Sequence, residues 1–313
     1  MRAYAIDEFG KPGSVHEVPK PEPGEGQVRV KVKAASLNPF DNAVVNGMLK
    51  GRMEHHFPLI PCGDLAGTVD AVGAGVDQWK VGDEVLGVQG KTGLGHGSLA
   101  EFVNASAGMV AGRPAAVDAE FAAALALAGV SAMQSVDAMH LEREDVVVVL
   151  GAAGGIGGYS MQMAKHAGAT VVAVTRGLNA EYVRSLGADE VVDYATQDVV
   201  STVREAHPDG IAGVIHTSGD AETLDGLATL VREGGHVVSM RGGAKVDDLA
   251  KRGVTGVNIG TKVTTESLGK VAAMAADGSL KRPEIKTFRL DQAAEAFAEI
   301  GTGHARGKLV VIP

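Results

Sequence analysis

The segment from residue 146 to residue 157 has the composition of an anion-binding turn. The apolar run Val146–Leu150 leads directly into Gly-Ala-Ala-Gly-Gly-Ile-Gly and then into a helical stretch. Read as a dinucleotide fingerprint, its three turn positions are Ala152, Gly154 and Gly157. Gly154 has no Cβ to keep a pyrophosphate away, Gly157 lets the helix pack close to the strand, and the helix N-terminus faces the phosphates. A tight strand–helix turn without a ligand is the alternative, which the following strand at the right distance disfavours.

The end of the next predicted strand indicates which dinucleotide would bind. An NAD site usually has an acidic residue there, whereas this chain has Thr175 and Arg176. The Arg176 guanidinium could pair with a 2′-phosphate in bidentate fashion, and Thr175 could add a hydroxyl contact. The alternative for Arg176 is a solvated surface side chain. Because the acid is missing and a base is present, the sequence predicts NADPH as the cofactor.

Three regions, which differ in composition and in hydrophobic pattern, must position these residues. Up to about residue 120, short β-branched runs such as the alternating segment 27–33 alternate with glycine turns, which is typical of a mostly antiparallel β unit. Residues 121–260 alternate apolar strands with helices, which predicts a Rossmann-type doubly wound parallel sheet. Residues 261–313 carry a helix, a strand, a helix and a closing strand at 308–312. The predicted fold class is therefore α/β with an additional β domain.

The composition of the 313-residue chain excludes several classes of protein. Hydrophobic residues make up 45% and charged residues 21%, which is too apolar for a disordered chain. The net charge of −9 argues against a nucleic-acid backbone or an anionic membrane as the main partner. The single cysteine, Cys62, excludes an intrachain disulfide framework and a cysteine-rich zinc lobe. With no signal-peptide pattern and no apolar run of about 18 residues, a cytosolic protein without a membrane span is expected.

Several blocks, in the right order along nearly the whole chain, resemble the zinc-independent quinone oxidoreductase (zeta-crystallin-like) branch of the medium-chain dehydrogenase/reductase superfamily. Three of them are Ser-Leu-Asn-Pro-Phe-Asp from residue 36, Pro-Cys-Gly-Asp-Leu-Ala-Gly from residue 61, and the Gly-Gly-Ile-Gly turn. The others cover residues 81–85, 97–102, 124–132, 186–194 and 305–311.

This resemblance implies a domain plan and an activity. Residues 1–120 would form a GroES-like catalytic domain, residues 121–260 a Rossmann domain, and residues 261–313 would return to the catalytic domain. The family typically transfers a hydride from NADPH to a quinone or an activated enone, and related enzymes commonly form dimers. Here the β-capable segment 254–259 could pair across a two-fold axis.

The resemblance also assigns roles to individual residues. It places Gly154, Gly155 and Ile156 at the pyrophosphate, in a turn with Ala153 and Gly157. Thr175 and Arg176 would lie near the 2′-phosphate, and Tyr194 near the adenosine phosphate. Ser131 and Asn38 would lie near the nicotinamide, Ser218 on the ribose side, and Met240 and Arg241 at the end of a later strand. The alternatives are that Tyr194 only ends a strand and that Ser131 only caps a helix.

A catalytic zinc ion is not expected. Zinc members of the superfamily use a Cys and a His-Glu pair, and the matching stretches here are 38–41 and 63–64. Cys62 and Asp64 alone do not supply the roughly three ligands that such a site needs. The pair His55-His56 is interpreted as a solvated loop feature. Hydrogen bonds would then have to replace a Lewis acid.

Asn38 is the best candidate for a polarising group. Its amide could donate to the acceptor oxygen or orient the nicotinamide ribose, and it could also form an Asx turn before Pro39. The Asp41 carboxylate is expected to hold the loop. Family members often have a Tyr five residues after this Asn, but this chain has Ala43, so solvent is the expected proton source.

Rival functions remain open at this stage. The same scaffold could serve a 2-alkenal or enoyl reductase, which would share every cofactor residue. A non-catalytic NADPH-binding sensor fits the same turn, because binding does not require turnover. The acceptor would be a small electrophile, in a pocket lined by loops 46–56 and 90–97.

Overall fold

The computed structural model describes residues 1–90 and 94–313, in two compact units. The first unit contains Met1–Leu127, Val263–Asp277 and Glu284–Pro313. The second unit contains Ala128–Lys262 and Gly278–Pro283. The domain boundaries at 120 and 260 that the sequence suggests remain a prediction.

The elements are numbered in chain order. The N-terminal part of the first unit contains β1 (Arg2–Ala5), β2 (Ser14–Glu17), β3 (Gln27–Ser36), α1 (Pro39–Val45), β4 (His55–Ile60), β5 (Asp64–Val72), β6 (Glu84–Val88), β7 (Leu94–His96), β8 (Phe102–Ser106) and β9 (Val110–Gly112). Helix α2 (Ala119–Asp137) follows. The second unit contains β10 (Val146–Leu150), α3 (Gly155–His166), β11 (Thr170–Thr175), α4 (Ala180–Ser185), β12 (Glu190–Asp193), α5 (Val199–Ala206), β13 (Ile211–His216), α6 (Ala221–Ala228), β14 (Val231–Ser239), α7 (Val246–Ala250) and β15 (Thr255–Asn258). The chain then adds α8 (Thr265–Ala276), β16 (Ile285–Arg289), α9 (Ala293–Gly301) and β17 (Lys308–Ile312) to the first unit.

The main sheet of the first unit is organised around β3. Across the described residues its strand order is β16-β17-β3-β5-β6-β9, with β8 also paired to β3. The alternating pattern at 27–33 correctly predicts this strand, because Val28 and Val30 are fully buried. The strand runs on to Ser36, and Val310 of β17 pairs with Ser36 in antiparallel register. Residues from both ends of the chain therefore meet at this edge of β3.

The second unit is a doubly wound parallel sheet. Within residues 94–313, six parallel strands run in the order β12-β11-β10-β13-β14-β15. Alternate residues of β10 enter two different apolar clusters, Val148 on one face and Val147 with Val149 on the other. Both faces are therefore covered, which explains why the strand sequences are continuous apolar runs. In such a sheet, ligands bind beyond the carboxyl ends of the strands where the strand order reverses, here at β10.

Two sequence expectations have specific outcomes here. Strand β15 lies at the edge of the sheet, as the segment 254–259 suggests. Helix α2 is long and apolar enough to cross a membrane by length and composition, but 72% of its most apolar window is buried inside the protein. That degree of burial is typical of a core helix.

Candidate functional site

The turn between β10 and α3 presents unprotected backbone N–H groups. Gly154 is the N-cap residue of α3, with extended backbone (φ −81°, ψ 174°), and within the described residues no side chain caps the helix. The N–H groups of Gly155, Ile156 and Gly157 at the first helical turn thus lack the usual side-chain acceptor. Ala153, just before the cap, is buried. A helix of twelve residues that begins without a cap suits an anion such as a pyrophosphate.

The three glycines of this turn have different steric roles. A Cβ on Gly157 would lie 2.2 Å from the Gly151 carbonyl oxygen, so helix and turn could not pack as they do. A Cβ on Gly154 would meet only the Gly151 oxygen, at 3.4 Å, so the space above Gly154 is open to a ligand. The left-handed residue of the turn is Gly151 (φ +82°), and a Cβ there would strike Thr217 and Ser218. The sequence analysis took Ala152 as the first turn position and missed Gly151.

The ends of β11 and β12 bring three candidate residues together. The Tyr194 backbone N–H donates to the Thr175 carbonyl (3.2 Å), and Arg176 directly follows Thr175. Arg176 is half-buried and forms no ion pair within the described part of the chain, while Tyr194 is 47% exposed. The Thr175 hydroxyl accepts a hydrogen bond from the Asn179 side chain at 3.2 Å. A cation and an exposed aromatic ring are thus available beside one another, whereas Thr175 is already engaged.

The ends of β13 and β14 hold a second group of candidates. Ser218 is exposed just beyond β13, and the Met240 N–H donates to the carbonyl of His216 (2.9 Å). The loop through Arg241 is held by Ser239, whose Oγ accepts from the N–H groups of Arg241 (3.1 Å) and Gly243 (3.0 Å).

His216, which the sequence analysis did not single out, completes this arrangement. It lies 3.0 Å from Ser239 Oγ through Nδ1 and is buried. Burial lowers the pKa of His216, so the ring is neutral and can accept the Ser239 proton. Two neutral groups, the His216 ring and the Ser239 hydroxyl, thus anchor the loop that contains Met240 and Arg241.

Ser131 does not cap a helix. It lies inside α2, is 1% exposed, and its Oγ forms a hydrogen bond of 2.7 Å with Thr261 Oγ1. Its hydroxyl therefore has a partner within the second unit.

Asn38 lies in a buried cluster of charged side chains in the first unit. Its Nδ2 donates to Asp64 Oδ2 (2.9 Å), and its Oδ1 accepts from Lys308 Nζ (2.7 Å). Lys308 Nζ also donates to the Leu37 carbonyl (2.9 Å) and lies 3.8 Å from Asp64 Oδ2. Asp41 Oδ2 accepts the backbone N–H of Asn38 at 2.7 Å, so this carboxylate holds the loop as expected. The Asn38 side chain thus bonds to residues distant in the sequence, and it also belongs to a capping box with Asp41 at the start of α1.

Burial controls the charges of this cluster. Burial and the nearby Asp64 carboxylate raise the pKa of Asp41 to about 7. Burial raises the pKa of Asp64 to about 6, although Lys308 and Asn38 act in the opposite direction. Burial likewise lowers the pKa of Lys308. The two buried acids and the buried base therefore titrate as a coupled unit.

The topology explains how distant residues meet here. Strand β3 lies between β17 and β5, with Ser36 opposite both Val310 and Asp64. Asn38 follows the end of β3, and Lys308 begins β17. The sequence predicts a role for Asn38, suggests Asp64 only as a metal ligand, and gives no role for Lys308, which is seen only in the structure. A lysine that opens an otherwise apolar final strand was the available signal.

The residues of this region do not fit a zinc site. In residues 1–90 and 94–313, no group of three or more His, Cys, Asp or Glu side chains is arranged to hold a metal ion. Cys62 Sγ donates to the Ser36 carbonyl (3.1 Å), and burial raises the pKa of its thiol well above the usual value. The pair His55-His56 begins strand β4 and is not a loop feature. The His55 ring packs 4.9 Å from the ring of Phe9.

A groove of about 560 Å³ lies elsewhere on the first unit. Its lining includes Met1, Val18, Phe57, His96 and Phe102, and no lining residue belongs to the Asn38 cluster. Residues 91–93 of the predicted acceptor loop 90–97 lie outside the described residues. The acceptor pocket therefore stays a prediction.

Two family profiles match the chain. The alcohol dehydrogenase GroES-like domain matches residues 24–115, and the zinc-binding dehydrogenase profile matches residues 186–311.

Curated relatives match nearly from end to end. The chloroplast envelope quinone oxidoreductase homolog of Arabidopsis thaliana is 33% identical over 330 positions, covering 100% of this chain and 98% of that protein. The NADPH-dependent alkenal/one oxidoreductase of the same plant, which is chloroplastic, is 32% identical over 100% of this chain and 80% of its own length. Among solved structures, the quinone oxidoreductase of Coxiella burnetii superposes with a TM-score of 0.90 at 28% identity, over 100% of this chain and 99% of that one.

These relatives correct one expectation of the sequence analysis. The cytosolic location was inferred from cysteine usage and from the absence of a targeting pattern. Relatives that match across the chain are chloroplastic proteins, which overturns that inference. A single reduced cysteine is compatible with several compartments and does not identify one.

Proposed function

We propose that this chain, which belongs to the quinone oxidoreductase branch of the medium-chain dehydrogenase/reductase superfamily, uses NADPH to reduce a quinone or a similar carbonyl-conjugated acceptor without zinc. Its membership of this branch makes it an NAD(P)H-dependent oxidoreductase. The observation that carries this proposal is the uncapped N-terminus of α3 beside the open face of Gly154. The alternative of a ligand-free turn would not require that open face.

The second unit supplies the residues that would hold the cofactor. Reduced nicotinamide supplies a hydride when it is bound. The backbone of the β10–α3 turn would bind the pyrophosphate, and the remaining contacts would come from residues at the carboxyl ends of the strands. These contact residues are Ser131, Ala153, Gly154, Gly155, Ile156, Gly157, Thr175, Arg176, Tyr194, Ser218, Met240 and Arg241.

A preference for NADPH over NADH rests on Arg176. The half-buried guanidinium has no acidic partner in the described chain and follows a strand that ends without an acid. A bidentate pair with a phosphate would satisfy it, and the ribose hydroxyls of NADH would not. Tyr194 could cover the adenosine side from β12.

Asn38 is the proposed catalytic group, as a hydrogen-bond donor to the acceptor oxygen. An amide that polarises the oxygen would take the place of a Lewis acid, and the ligand set that a zinc ion needs is not assembled around it. The positive charge nearest to this amide is the ammonium of Lys308.

The proposal includes a homodimer formed through β15. This edge strand presents unpaired backbone groups, and a second copy could extend the sheet across a two-fold axis. Sedimentation equilibrium tests this assembly directly. A monomeric protein at micromolar concentration would contradict this assembly.

The decisive experiment measures NADPH oxidation against a panel of acceptors that includes para-benzoquinone and crotonaldehyde. Faster turnover of the quinone supports the proposal. Arg176→Ala should weaken NADPH binding by about tenfold or more and leave NADH binding unchanged, consistent with the loss of one charged hydrogen-bonded pair. Arg184→Ala, on the exposed face of α4, is the matched control. An unchanged preference for NADPH over NADH in Arg176→Ala would contradict the cofactor assignment.

A 2-alkenal reductase is the second candidate. It is favoured by the 32% identity to the alkenal/one oxidoreductase, whose chain this sequence covers to 80%. Preferred turnover of crotonaldehyde in the same assay would select it. Tight NADPH binding with no turnover of any acceptor would instead favour a sensor.

A further inference from the structure

We propose that Lys308 is a positioning residue, which together with Asp64 clamps both ends of the Asn38 carboxamide so that a single N–H remains for the acceptor oxygen. The clamp itself stands on the geometry of the first unit. The use of the remaining N–H rests on the proposed function.

The chemistry of the two partners fixes the orientation of the amide. A lysine ammonium can only donate, so the atom 2.7 Å from Nζ has to be the oxygen of Asn38. An ionised carboxylate can only accept, so the atom 2.9 Å from Asp64 Oδ2 has to be the nitrogen. Either partner alone selects the same orientation, and together they exclude the flipped amide. One Nδ2 hydrogen goes to Asp64, and the other, near enough to Asp41 to lower the pKa of that carboxyl, is the only side-chain donor that Asn38 can offer to an acceptor.

The burial of the partners makes the clamp stiff. Asp64 is 0% exposed, Lys308 is 4% exposed and Asn38 is 8% exposed, so water does not compete for these hydrogen bonds. The backbone of Asn38 is held separately, by Asp41 Oδ2 at 2.7 Å and by the start of α1. Asp41 thus holds the main chain of Asn38, while Asp64 and Lys308 hold the two ends of its carboxamide.

Lys308 also supplies the positive charge of the cluster. Asp41 and Asp64 are both buried, and the titratable groups that face Asp64 are Asp41, Cys62 and Lys308. Without the ammonium, the two carboxyl groups could not both remain ionised in this environment. A protonated Asp64 could donate to Asn38, and the preference for one amide orientation would then be lost.

A purely structural role makes a different prediction. If Lys308 only tied β17 to β3, its removal would lower stability and would affect cofactor binding and turnover together. A positioning role predicts that turnover falls while the second unit continues to bind NADPH normally. The two roles are therefore separated by kcat and by the Kd for NADPH.

The test compares Lys308→Met with the wild-type chain. We expect kcat with para-benzoquinone to fall by about 10- to 100-fold, while the Kd for NADPH and the KM for the quinone change by less than about threefold. Lys308→Gln retains an N–H donor and should recover part of the lost kcat. Lys33→Met is the matched control, because Lys33 lies on β3 in an ion pair with Glu84 (2.7 Å) away from the cluster. Unchanged kcat in Lys308→Met, or a parallel loss of kcat and NADPH binding, would overturn the proposal.

A second measurement does not depend on turnover. The side-chain amide protons of Asn38 should exchange slowly with solvent in the wild type and at least tenfold faster in Lys308→Met, which nuclear magnetic resonance can follow after assignment with Asn38→Asp. If Lys308→Met does not fold, Asp64→Asn tests the other end of the clamp, with the same expected loss of kcat and faster exchange. Unchanged exchange in the variant that folds would refute the clamp. If the wild type shows slow exchange but none of the acceptors supports NADPH oxidation, the clamp stands and the proposed function fails.

Discussion

The two proposed functional regions of this protein differ in the chemical groups that form them. The turn at 151–157 works through backbone N–H groups and missing side chains, and its charge does not depend on pH. The Asn38 cluster works through four polar side chains whose charges depend on one another. Added atoms in the backbone turn are expected to impair packing or ligand binding, whereas a change of charge in the side-chain cluster is expected to alter the protonation of its other members. Substitutions of both kinds can break or sharpen this comparison.

The largest effect is expected for Gly157→Ala. The new methyl group would lie 2.2 Å from a backbone oxygen, which cannot rotate away, so the fold should lose about 3 kcal/mol. Chemical denaturation measures this loss. Gly269→Ala in α8, where the methyl group meets nothing within 4 Å, is the control and should be nearly neutral. Equal stability of both variants would show that the close packing of α3 is not required.

A smaller effect, confined to binding, is expected for Gly154→Val. The space above Gly154 is open, so the fold should keep its melting temperature to within a few degrees. The side chain would fill the place of the pyrophosphate and weaken NADPH binding by about 100-fold, or about 2.7 kcal/mol. Titration calorimetry gives the Kd. Normal affinity in a folded Gly154→Val protein would exclude this turn as the phosphate site.

The charged region should show itself in the pH dependence of stability. Asp41 has a folded pKa of about 7, above its unfolded value of 3.8, so its contribution to stability is present at low pH and is lost as the pH rises towards 7. The free energy of unfolding of Asp41→Asn, taken relative to that of the wild type, should therefore be about 1 to 2 kcal/mol more favourable at pH 8 than at pH 5.

The comparison has to be made between the two proteins at each pH. His216, whose pKa is lowered by burial, loses its contribution to stability as the pH falls, and its effect cancels in the difference. A difference between wild type and Asp41→Asn that does not vary with pH would mean that Asp41 does not titrate in this range.

The smallest effect is expected for Ser239→Ala. It removes the acceptor of the Arg241 and Gly243 N–H groups and the partner of His216, so the loop should loosen and NADPH affinity should fall about threefold. Fluorescence titration measures the affinity. Ser201→Ala on the exposed surface of α5 is the control. An affinity equal to that of the control would remove this loop from the cofactor site.

The two regions also differ in how far the sequence predicted them. The phosphate turn is contiguous, and its strand, its glycines and its helix could be predicted because period and glycine spacing are local properties. Gly151 could not be predicted because its constraint comes from Thr217 and Ser218, which follow β13. The position of Arg176 followed from the end of the second predicted strand and that of Tyr194 from the family resemblance, but the engagement of Thr175 by Asn179 could not be predicted.

The cluster could be predicted only in part. Asn38 was predicted from the family resemblance and from the hydrogen-bonding capacity of its amide, and Asp41 was expected to hold the same loop through its carboxylate. Lys308 lies 270 residues away from Asn38, and its partner depends on β17 pairing with β3. No local pattern encodes a pairing over that separation, so the network could be found only in three dimensions.

The separation of Lys308 from Asn38 also sets an order of events during synthesis. The ribosome has to deliver 270 further residues after Asn38 before its amide meets the ammonium. Until then, a nascent chain would carry Asp41 and Asp64 without their counter-cation, and the β sheet would lack the strand that covers them. The charged cluster around Asn38 can therefore be complete only when β17 has joined β3, whereas every residue of the turn at 151–157 is made more than 150 residues earlier.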